Sequence, residues 1–240
     1  METNKPALKI LSMLLITVAI IFGIESKFLV NEVRGESLSN YSSLAWSENV
    51  VLLIDDFEGL TDSLSLVKAS FFGYGNCKMI PDSTQNDKNA IALKTCLKVR
   101  WNEKDNFGGW GKGVGKNIDL NTANDHLNFR VLAPTANGDS LFLKMMLEED
   151  DDFNGKLEQD KDDSWFYKFA VAPSDKWQLV SIPLSSFSDG NPGGDGQLNI
   201  TRKGGLHTII FSYEKTERYK PDNTWYFDFV CFTKGPITDK

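Results

Sequence analysis

The sequence predicts an all-β protein, an antiparallel β-sandwich that forms a single domain after an N-terminal hydrophobic leader. Apolar and polar residues alternate with a period of two along many short segments, which is the pattern of half-buried strands. Clusters of glycine, asparagine, aspartate, serine and proline separate these segments. No segment after the leader has a sustained apolar stripe of helical period. Many short strands without intervening helices are typical of a sandwich or jelly roll.

The alternation predicts nine strands. They span residues 50–57, 66–72, 90–101, 126–132, 140–147, 165–171, 177–183, 206–213 and 224–233. The glycine-rich segments 105–117 and 188–197 are interpreted as loops. The last strand is expected to present one unbroken apolar row, made of Trp225, Phe227, Phe229 and Cys231. A register slip of one residue would put charge into the core, so the register is well specified.

The first 36 residues have the pattern of a secretory signal. Lys5 and Lys9 precede an uncharged apolar run over residues 10–24, which is shorter than the roughly 20 residues that cross a bilayer. An uncleaved membrane anchor remains the alternative. We therefore expect a signal peptide or anchor over 1–36, a linker over 37–49 and one domain over 50–235. The protein is expected to be secreted, periplasmic or on the cell surface.

The charge distribution excludes one class of partner. The net charge is −7, and residues 148–163 hold nine acidic residues against two lysines. Without a basic stripe to neutralise phosphates, the chain is not expected to bind nucleic acid. Any membrane association is expected only through the N-terminal segment. The domain itself is expected to be a monomer.

Three cysteines constrain the redox chemistry. Cys77 and Cys96 could form a disulfide in an oxidising compartment, or both could remain thiols. Cys96 is predicted to point outward from its strand. Cys231 is predicted to be a buried, inert thiol. Because there is no C-x-x-C and no Cys/His cluster, a zinc site is not expected.

Four segments together resemble a known family. They are LLIDDFEG, WQLVSIPLSSF, the loop DGNPGGDGQLN followed by GGLHTIIF, and the closing WYFDFVCF. Their order is similar to that of the family 11 carbohydrate-binding modules and related galactose-binding-like jelly rolls, over about residues 50–234. A related group, that of complex I intermediate-associated protein 30, shares the jelly-roll core, but its usual D-x-x-M-G-G-x-S segment is missing here.

The resemblance implies a concave sheet face that binds β-glucan-type polysaccharide without catalysis. It also implies a structural calcium ion that joins the first and last strands. The corresponding positions in this chain are Glu58 and Asp228, with Asp55 and Asp56 as neighbours. Which of the two adjacent aspartates takes part is left open. The alternative function is a protein-interaction or assembly module on the same scaffold.

Sugar recognition needs aromatic faces and planar polar groups, because sugars present apolar C–H faces and hydroxyls. The candidates are residues expected to be exposed in loops or on one strand face, with core packing as the alternative for each aromatic one. They are Trp110, Arg130, Trp165, Tyr167, His207 and Tyr213.

The acidic segment raises two further possibilities. Asp150, Asp152, Asn154 and Gly155 reproduce the opening D-x-D-x-N-G of a calcium loop, but position 12 is Lys161, which favours a solvated acidic loop. The segment from Glu148 also reads E-x-D-x-D, similar to the carboxylate pattern of sandwich glucanases. Its intervening residues are themselves acidic and could not be buried in a core. The chain is therefore not expected to be an enzyme.

Overall fold

The computed structural model describes residues 49–85, 94–101, 107–116, 121–199, 205–217 and 223–237. All of them belong to the second of the two units into which the chain divides, residues 43–240. The predicted leader (1–36) and nearly all of the predicted linker (37–49) lie outside the described residues. No helix within the described ranges has both the length and the apolar character needed to cross a membrane.

The described chain forms twelve strands and one short α-helix. In chain order they are β1 (Val50–Asp55), α1 (Ser63–Lys68), β2 (Phe71–Tyr74), β3 (Cys77–Asp82), β4 (Cys96–Trp101), β5 (Phe107–Lys116), β6 (His126–Ala133), β7 (Leu141–Glu149), β8 (Ser164–Val171), β9 (Ser174–Pro183), β10 (Ser188–Asp189), β11 (Leu206–Glu214) and β12 (Asn223–Thr233). Short 3₁₀ turns follow β6 and β9, at Thr135–Asn137 and Leu184–Ser186.

The strands form two six-stranded antiparallel sheets. Sheet I has the order β3-β4-β12-β6-β9, and β1 also pairs with β12. Sheet II has the order β10-β8-β7-β11-β5-β2. The prediction of an all-β antiparallel sandwich of the jelly-roll type is confirmed.

Aromatic rings from both sheets meet in the core. The Trp110 ring of β5 stacks on Phe211 of β11 with centroids 4.1 Å apart, and it meets Phe227 of β12 edge-on at 5.3 Å. Phe129 of β6 also meets Phe211 edge-on, at 5.2 Å. The two edge-on contacts cross from one sheet to the other, so the sheets are joined by interlocked rings of the kind that adds specific geometry to apolar burial.

The glycine-rich segment 105–117 was predicted to be a loop, and this prediction is wrong for β5. Its residues alternate in the sheet, with Trp110 and Lys112 facing sheet I and Gly109 and Gly111 on the opposite face. Trp110 is only 1% exposed. Glycine has no side chain to show a period of two, which is why the alternation was missed.

The predicted strand 66–72 is also wrong in part, because a helix occupies its first residues. The Asp62 side chain accepts a hydrogen bond from the Ser65 backbone N–H at 2.8 Å and forms a capping box that starts α1. The chain then turns at Ser70, which has φ 65°, before entering β2. The hydrogen bonds of the capping box therefore favour a helix at residues 63–68, although the alternation of apolar residues there weakly favours a strand.

A β-bulge in β12 breaks the apolar row predicted for this strand. The ladder with β6 shifts by one residue between Asp228 and Cys231, and Phe229 has φ 49°. Trp225 and Phe227 belong to the main core before the bulge. After it, the core positions pass to Val230 and Phe232, whereas Phe229 and Cys231 lie outside the main core cluster. Cys231 is buried, as predicted.

The possible Cys77–Cys96 disulfide does not fit the register. Cys77 pairs with Trp101, and Cys96 pairs with Asp82 at the other end of the β3–β4 ladder. Five residues along a strand separate them by about 17 Å, whereas bridged cysteines need Cα atoms within about 7 Å. Both are free thiols. Cys96 does lie outside the main core, buried in a small cluster with Leu132, Tyr226 and Trp177.

A lysine joins the two sheets at the end of β1. Lys112 of sheet II points inward, and its Nζ donates to the Ile54 carbonyl at 2.8 Å and forms an ion pair with Asp55 of sheet I. The two charged side chains are only 16% and 14% exposed. Burial raises the pKa of Asp55, and the nearby Lys112 opposes that effect. The ion pair therefore keeps a partly buried carboxylate compensated.

We expect Trp110→Ala to lower the free energy of unfolding by about 3–5 kcal/mol, because it leaves a cavity between the sheets. Chemical denaturation followed by circular dichroism measures this. Ile80→Ala, at a position 41% exposed on sheet I, is the control and is expected to change stability by less than about 0.5 kcal/mol. A loss below about 1 kcal/mol for Trp110→Ala would contradict the core assignment.

We expect Lys112→Met to destabilise the fold by about 3 kcal/mol, since Asp55 would be left partly buried without its partner. The double variant Asp55→Asn/Lys112→Met should recover part of this loss. The same denaturation measurement on Lys168→Met is the control, because the Lys168–Glu214 pair is 54% and 44% exposed and such pairs contribute at most about 1 kcal/mol. If the two lysine variants lost equal free energies of unfolding, the Lys112–Asp55 ion pair between the sheets would contribute no more than an exposed pair.

Candidate carbohydrate-binding face and metal sites

The outer face of sheet II carries one apolar row that crosses five strands. Direct pairing joins the residues of this row from β2 to β8, in the order Phe72, Gly111, Ile210, Met146 and Phe166. Neither Ile210 nor Met146 is part of the main core cluster, whereas their strand neighbours on the other face are. At about 4.8 Å per strand, the row spans about 19 Å.

A polar row lies beside the apolar one. It runs in direct register through Tyr74, Gly109, Ser212, Lys144 and Lys168. The Tyr74 hydroxyl is hydrogen-bonded to the Ser212 side chain, and burial raises the pKa of Tyr74 to about 12. The Lys144 Nζ lies 4.6 Å from the Phe166 ring centroid, so this row touches the apolar one.

Charged groups border the apolar row on both sides. On one side, Lys168 forms an ion pair with Glu214. Burial lowers the pKa of Lys144, and the neighbouring Lys168 charge lowers it further. On the other side, Thr208 and Glu148 pair directly across β11 and β7. Burial raises the pKa of Glu148 to about 7, against the effect of its hydrogen bond with Thr208.

Two of the three aromatic residues of β2, Phe72 and Tyr74, lie over the glycines of β5. A Cβ added at Gly111 would lie 2.5 Å from Phe72 Cζ, and one added at Gly109 would lie 2.7 Å from the Tyr74 hydroxyl oxygen. The added atoms would also lie 2.8 Å from the Ile209 carbonyl oxygen and 2.3 Å from the Phe211 carbonyl oxygen, so both positions are closed to any larger residue. The glycines let the two rings rest directly on the sheet.

Four of the six sequence-predicted ligand residues face the core of the sandwich. Trp110 and Tyr213 are 1% and 0% exposed. Trp165 and Tyr167 share one face of β8, as predicted, but that face packs against the core. In β8 and β11 the alternation was read correctly, but the wrong side of the strand was taken as the surface. For Trp110 the alternation was missed, because its segment was interpreted as a loop.

The remaining two predicted residues lie apart from each other. Arg130 is on sheet I, directly opposite Asp228, and is 4% exposed. His207 lies at a bulge where β11 shifts register between Leu206 and Thr208. Its Nδ1 is 2.7 Å from Thr208 Oγ1. The six predicted residues do not form one site.

The residues that do share the outer face of sheet II were missed by the sequence reasoning. They are Phe72, Tyr74, Lys144, Met146 and Phe166. A usable signal existed in β7, where Leu143, Met145 and Leu147 define an apolar face and place Lys144 and Met146 on the other. The signal was weaker in β8, because Phe166 shares its face with the polar residues Ser164 and Lys168.

Trp165 also borders a pocket beside the core. This pocket has a volume of about 290 Å³ and is lined by Thr122, Ala123, Trp165, Leu184, Ser185, Phe187, Gly196, Gln197 and Leu198. It carries no charged side chain, so it offers fewer hydrogen-bonding groups than the outer face of sheet II.

The predicted calcium residues separate into two environments. Asp55 is engaged by Lys112, and its Oδ1 accepts the Phe57 backbone N–H at 2.7 Å. Burial raises the pKa of Asp228 well above its ordinary value, and the charges of Glu58 and Asp56 raise it further. Asp56, Glu58 and Asp228 are thus close enough to interact, and a cation near them would relieve that repulsion.

The tightest carboxylate groups among the described residues lie elsewhere, in the acidic segment between β7 and β8. One comprises Glu149, Asp151 and Asp163, and the other comprises Asp150, Asp152 and Asp162. Within each group, one ligand oxygen per residue lies within 4.8 Å of the others. These clusters could hold a metal ion.

Comparison with known proteins identifies the fold. No protein-family model matches the chain, and no curated protein does either. A family 11 carbohydrate-binding module from Clostridium thermocellum, solved in complex with a beta-1,3-1,4-mixed-linked tetrasaccharide, is 18% identical with a TM-score of 0.51, over 78% of this chain and 96% of its own. The family 11 module of the cellulosomal cellulase Lic26A-Cel5E of the same organism is 16% identical with a TM-score of 0.50, over the same shares.

An exo-beta-agarase is also similar, at 12% identity and a TM-score of 0.53, but the match covers 79% of this chain and only 25% of the agarase chain. The two modules, in contrast, match over nearly their whole length. The chain therefore has the jelly-roll β-sandwich fold of the family 11 carbohydrate-binding modules.

Proposed function

We propose that this chain binds carbohydrate, of the β-glucan type, without catalysing a reaction, and that it does so on the outer face of sheet II. The observation that carries the proposal is the apolar row from Phe72 to Phe166 with charged and hydroxyl groups on both sides. This arrangement matches the two surfaces of a sugar, since pyranose rings have apolar C–H faces and a periphery of hydroxyls.

The length of the row favours an extended chain of sugars over a single one. Phe72 and Phe166 stand at opposite ends of a row about 19 Å long. Between them, the side chains of Ile210 and Met146 continue the apolar surface. An oligosaccharide lying across the strands would contact a ring at each end.

The polar side chains supply the hydrogen bonds. Lys168 and Glu214 can donate to and accept from sugar hydroxyls on one side of the row, and Glu148 and Thr208 can do so on the other. The fold shared with a module solved with a beta-1,3-1,4-mixed-linked tetrasaccharide supports a β-glucan ligand. A protein-interaction module fits less well, because charged groups flank the apolar row on both sides.

The proposal includes export and a structural calcium ion. Residues 1–36 would direct the protein to the periplasm, the cell surface or the medium, where the domain would act as a monomer. Asp56, Glu58 and Asp228 would hold calcium between the first and last strands, with Asp55 excluded by its ion pair with Lys112. The ion would neutralise the buried Asp228 carboxylate.

We expect Phe72→Ala and Phe166→Ala each to weaken binding about tenfold, because a lost ring contact costs on the order of 1.4 kcal/mol. Isothermal titration with soluble mixed-linked β-glucan and with xyloglucan measures the affinity. Circular dichroism confirms that each variant is folded.

Ile80→Ala is the matched control, since Ile80 is 41% exposed on sheet I and Phe72 is 40% exposed on sheet II. Its affinity should equal that of the parent protein. Failure of the folded parent protein to bind any glycan would refute the proposed function. Equal losses in the Ile80 and Phe72 variants would instead refute the assignment to sheet II.

A further inference from the structure

The acidic loop, residues 149–163, joins β7 to β8 at the end of sheet II. Its ends are paired, because the Glu149 backbone N–H donates to the Asp163 carbonyl at 2.9 Å. The side chain of Asp151 also accepts the Asp163 backbone N–H, at 2.8 Å. The inner triad, defined as Glu149, Asp151 and Asp163, is therefore held together by the main chain of the loop itself.

The spacing of the inner triad suits one calcium ion. Its ligand oxygens all lie within 4.8 Å of one another. Calcium binds oxygen at 2.3–2.6 Å, so oxygens on opposite sides of one ion are about 4.6–5.2 Å apart. Three carboxylates at this spacing can contact the same ion.

An unpartnered carboxylate oxygen provides independent support. Asp163 is 0% exposed. Its Oδ2 accepts the backbone N–H groups of Asp195 at 3.1 Å and Gly196 at 2.8 Å, but its buried Oδ1 has no hydrogen-bond partner. A buried charged oxygen without a partner is unusual and costly in proteins. A bound cation would contact Asp163 Oδ1 directly and compensate its negative charge.

The carboxylates of Glu149 and Asp151 are held in place by hydrogen bonds, but neither forms an ion pair with the lysines described below. Glu149 Oε1 accepts the Asn199 backbone N–H at 2.7 Å, and its Oε2 accepts the Trp165 indole N–H at 2.8 Å. Burial, together with the charges of Asp163 and Asp195, raises the pKa of Asp151 to about 6. Across the described part of the chain, the ion pairs of Lys98, Lys112, Lys161 and Lys168 all involve other carboxylates.

The outer triad of Asp150, Asp152 and Asp162 is better satisfied. The two oxygens of Asp150 accept the backbone N–H groups of Asn154 at 3.1 Å and Gly155 at 2.9 Å. Asp152 lies 3.7 Å from the Lys161 ammonium. The D-x-D-x-N-G pattern thus closes a turn of the loop, and the buried oxygen without a hydrogen-bond partner belongs to the inner triad.

We infer that Glu149, Asp151 and Asp163 bind a divalent calcium ion. All three ligands are hard carboxylate oxygens, which calcium prefers, and no imidazole or thiolate is among them. Residue 194 must be glycine for the Asp163 carboxylate to fit, since a Cβ there would lie 2.2 Å from Asp163 Oδ1. This site is separate from the strand-end calcium proposed above and does not depend on sugar binding.

Terbium luminescence tests the site directly, because Tb³⁺ substitutes for calcium and Trp165 donates its indole N–H to a ligand residue. The full chain, freed of metal with a chelator, is titrated with Tb³⁺ under tryptophan excitation. We expect sensitised emission that added calcium abolishes. Calcium at about 100 times its Kd should also raise Tm by about 5–10 °C.

Variants assign the signal to the inner triad. Asp163→Asn should lose the sensitised emission, and Trp165→Phe should lose the emission but keep the calcium-dependent rise in Tm. Asp160→Asn removes an exposed carboxylate of the same loop and should change neither readout. The inference is overturned if the metal-free parent protein shows no sensitised emission and no rise in Tm. It is equally overturned if a folded Asp163→Asn protein keeps both.

Discussion

The packing of one indole against two phenyl rings organises this molecule. Trp110 stacks on Phe211 within sheet II and meets Phe227 of sheet I edge-on. Because neighbouring residues in a strand point to opposite faces, burying Trp110 also decides which residues of β5 lie outside. Because β11 pairs with β5, and β7 with β11, in a fixed register, the same orientation extends across the sheet and places Ile210 and Met146 on the outer face. The apolar row of the outer face therefore follows from a contact in the core.

Much of the fold is readable from the sequence, because buried sheet faces require a period of two. In β6, Leu127, Phe129 and Val131 alternate with Asn128 and Arg130, and in β7 burial alternates along the whole strand. The glycine-rich β5 does not, since a glycine has no side chain to classify as apolar or polar. The helix at Ser63–Lys68 depends on a cap formed by Asp62, a local interaction that competes with the strand pattern.

The candidate site was less predictable, for a geometric reason. Alternation shows which residues share a face, but it identifies the core face less clearly when both faces carry aromatic residues. Trp165 and Tyr167 alternate with Phe166. The first two pack against the core, whereas Phe166 lies on the outer face of the sheet. Bulges add a second difficulty, because the extra residue at Phe229 exchanges the faces for the rest of β12. A single unpaired residue of this kind has no signature in the pattern.

The glycines of β5 have a further consequence for the outer face of sheet II, where we propose that carbohydrate binds. Phe72 and Tyr74 lie against the main chain at Gly111 and Gly109, and the Tyr74 hydroxyl is also hydrogen-bonded to Ser212. Their freedom to rotate is therefore restricted when the protein folds, before any ligand arrives. The entropy of ordering these rings is lost in folding, so the proposed ligand would not have to restrict them on binding. A surface that makes few contacts with that ligand would then still select it by shape.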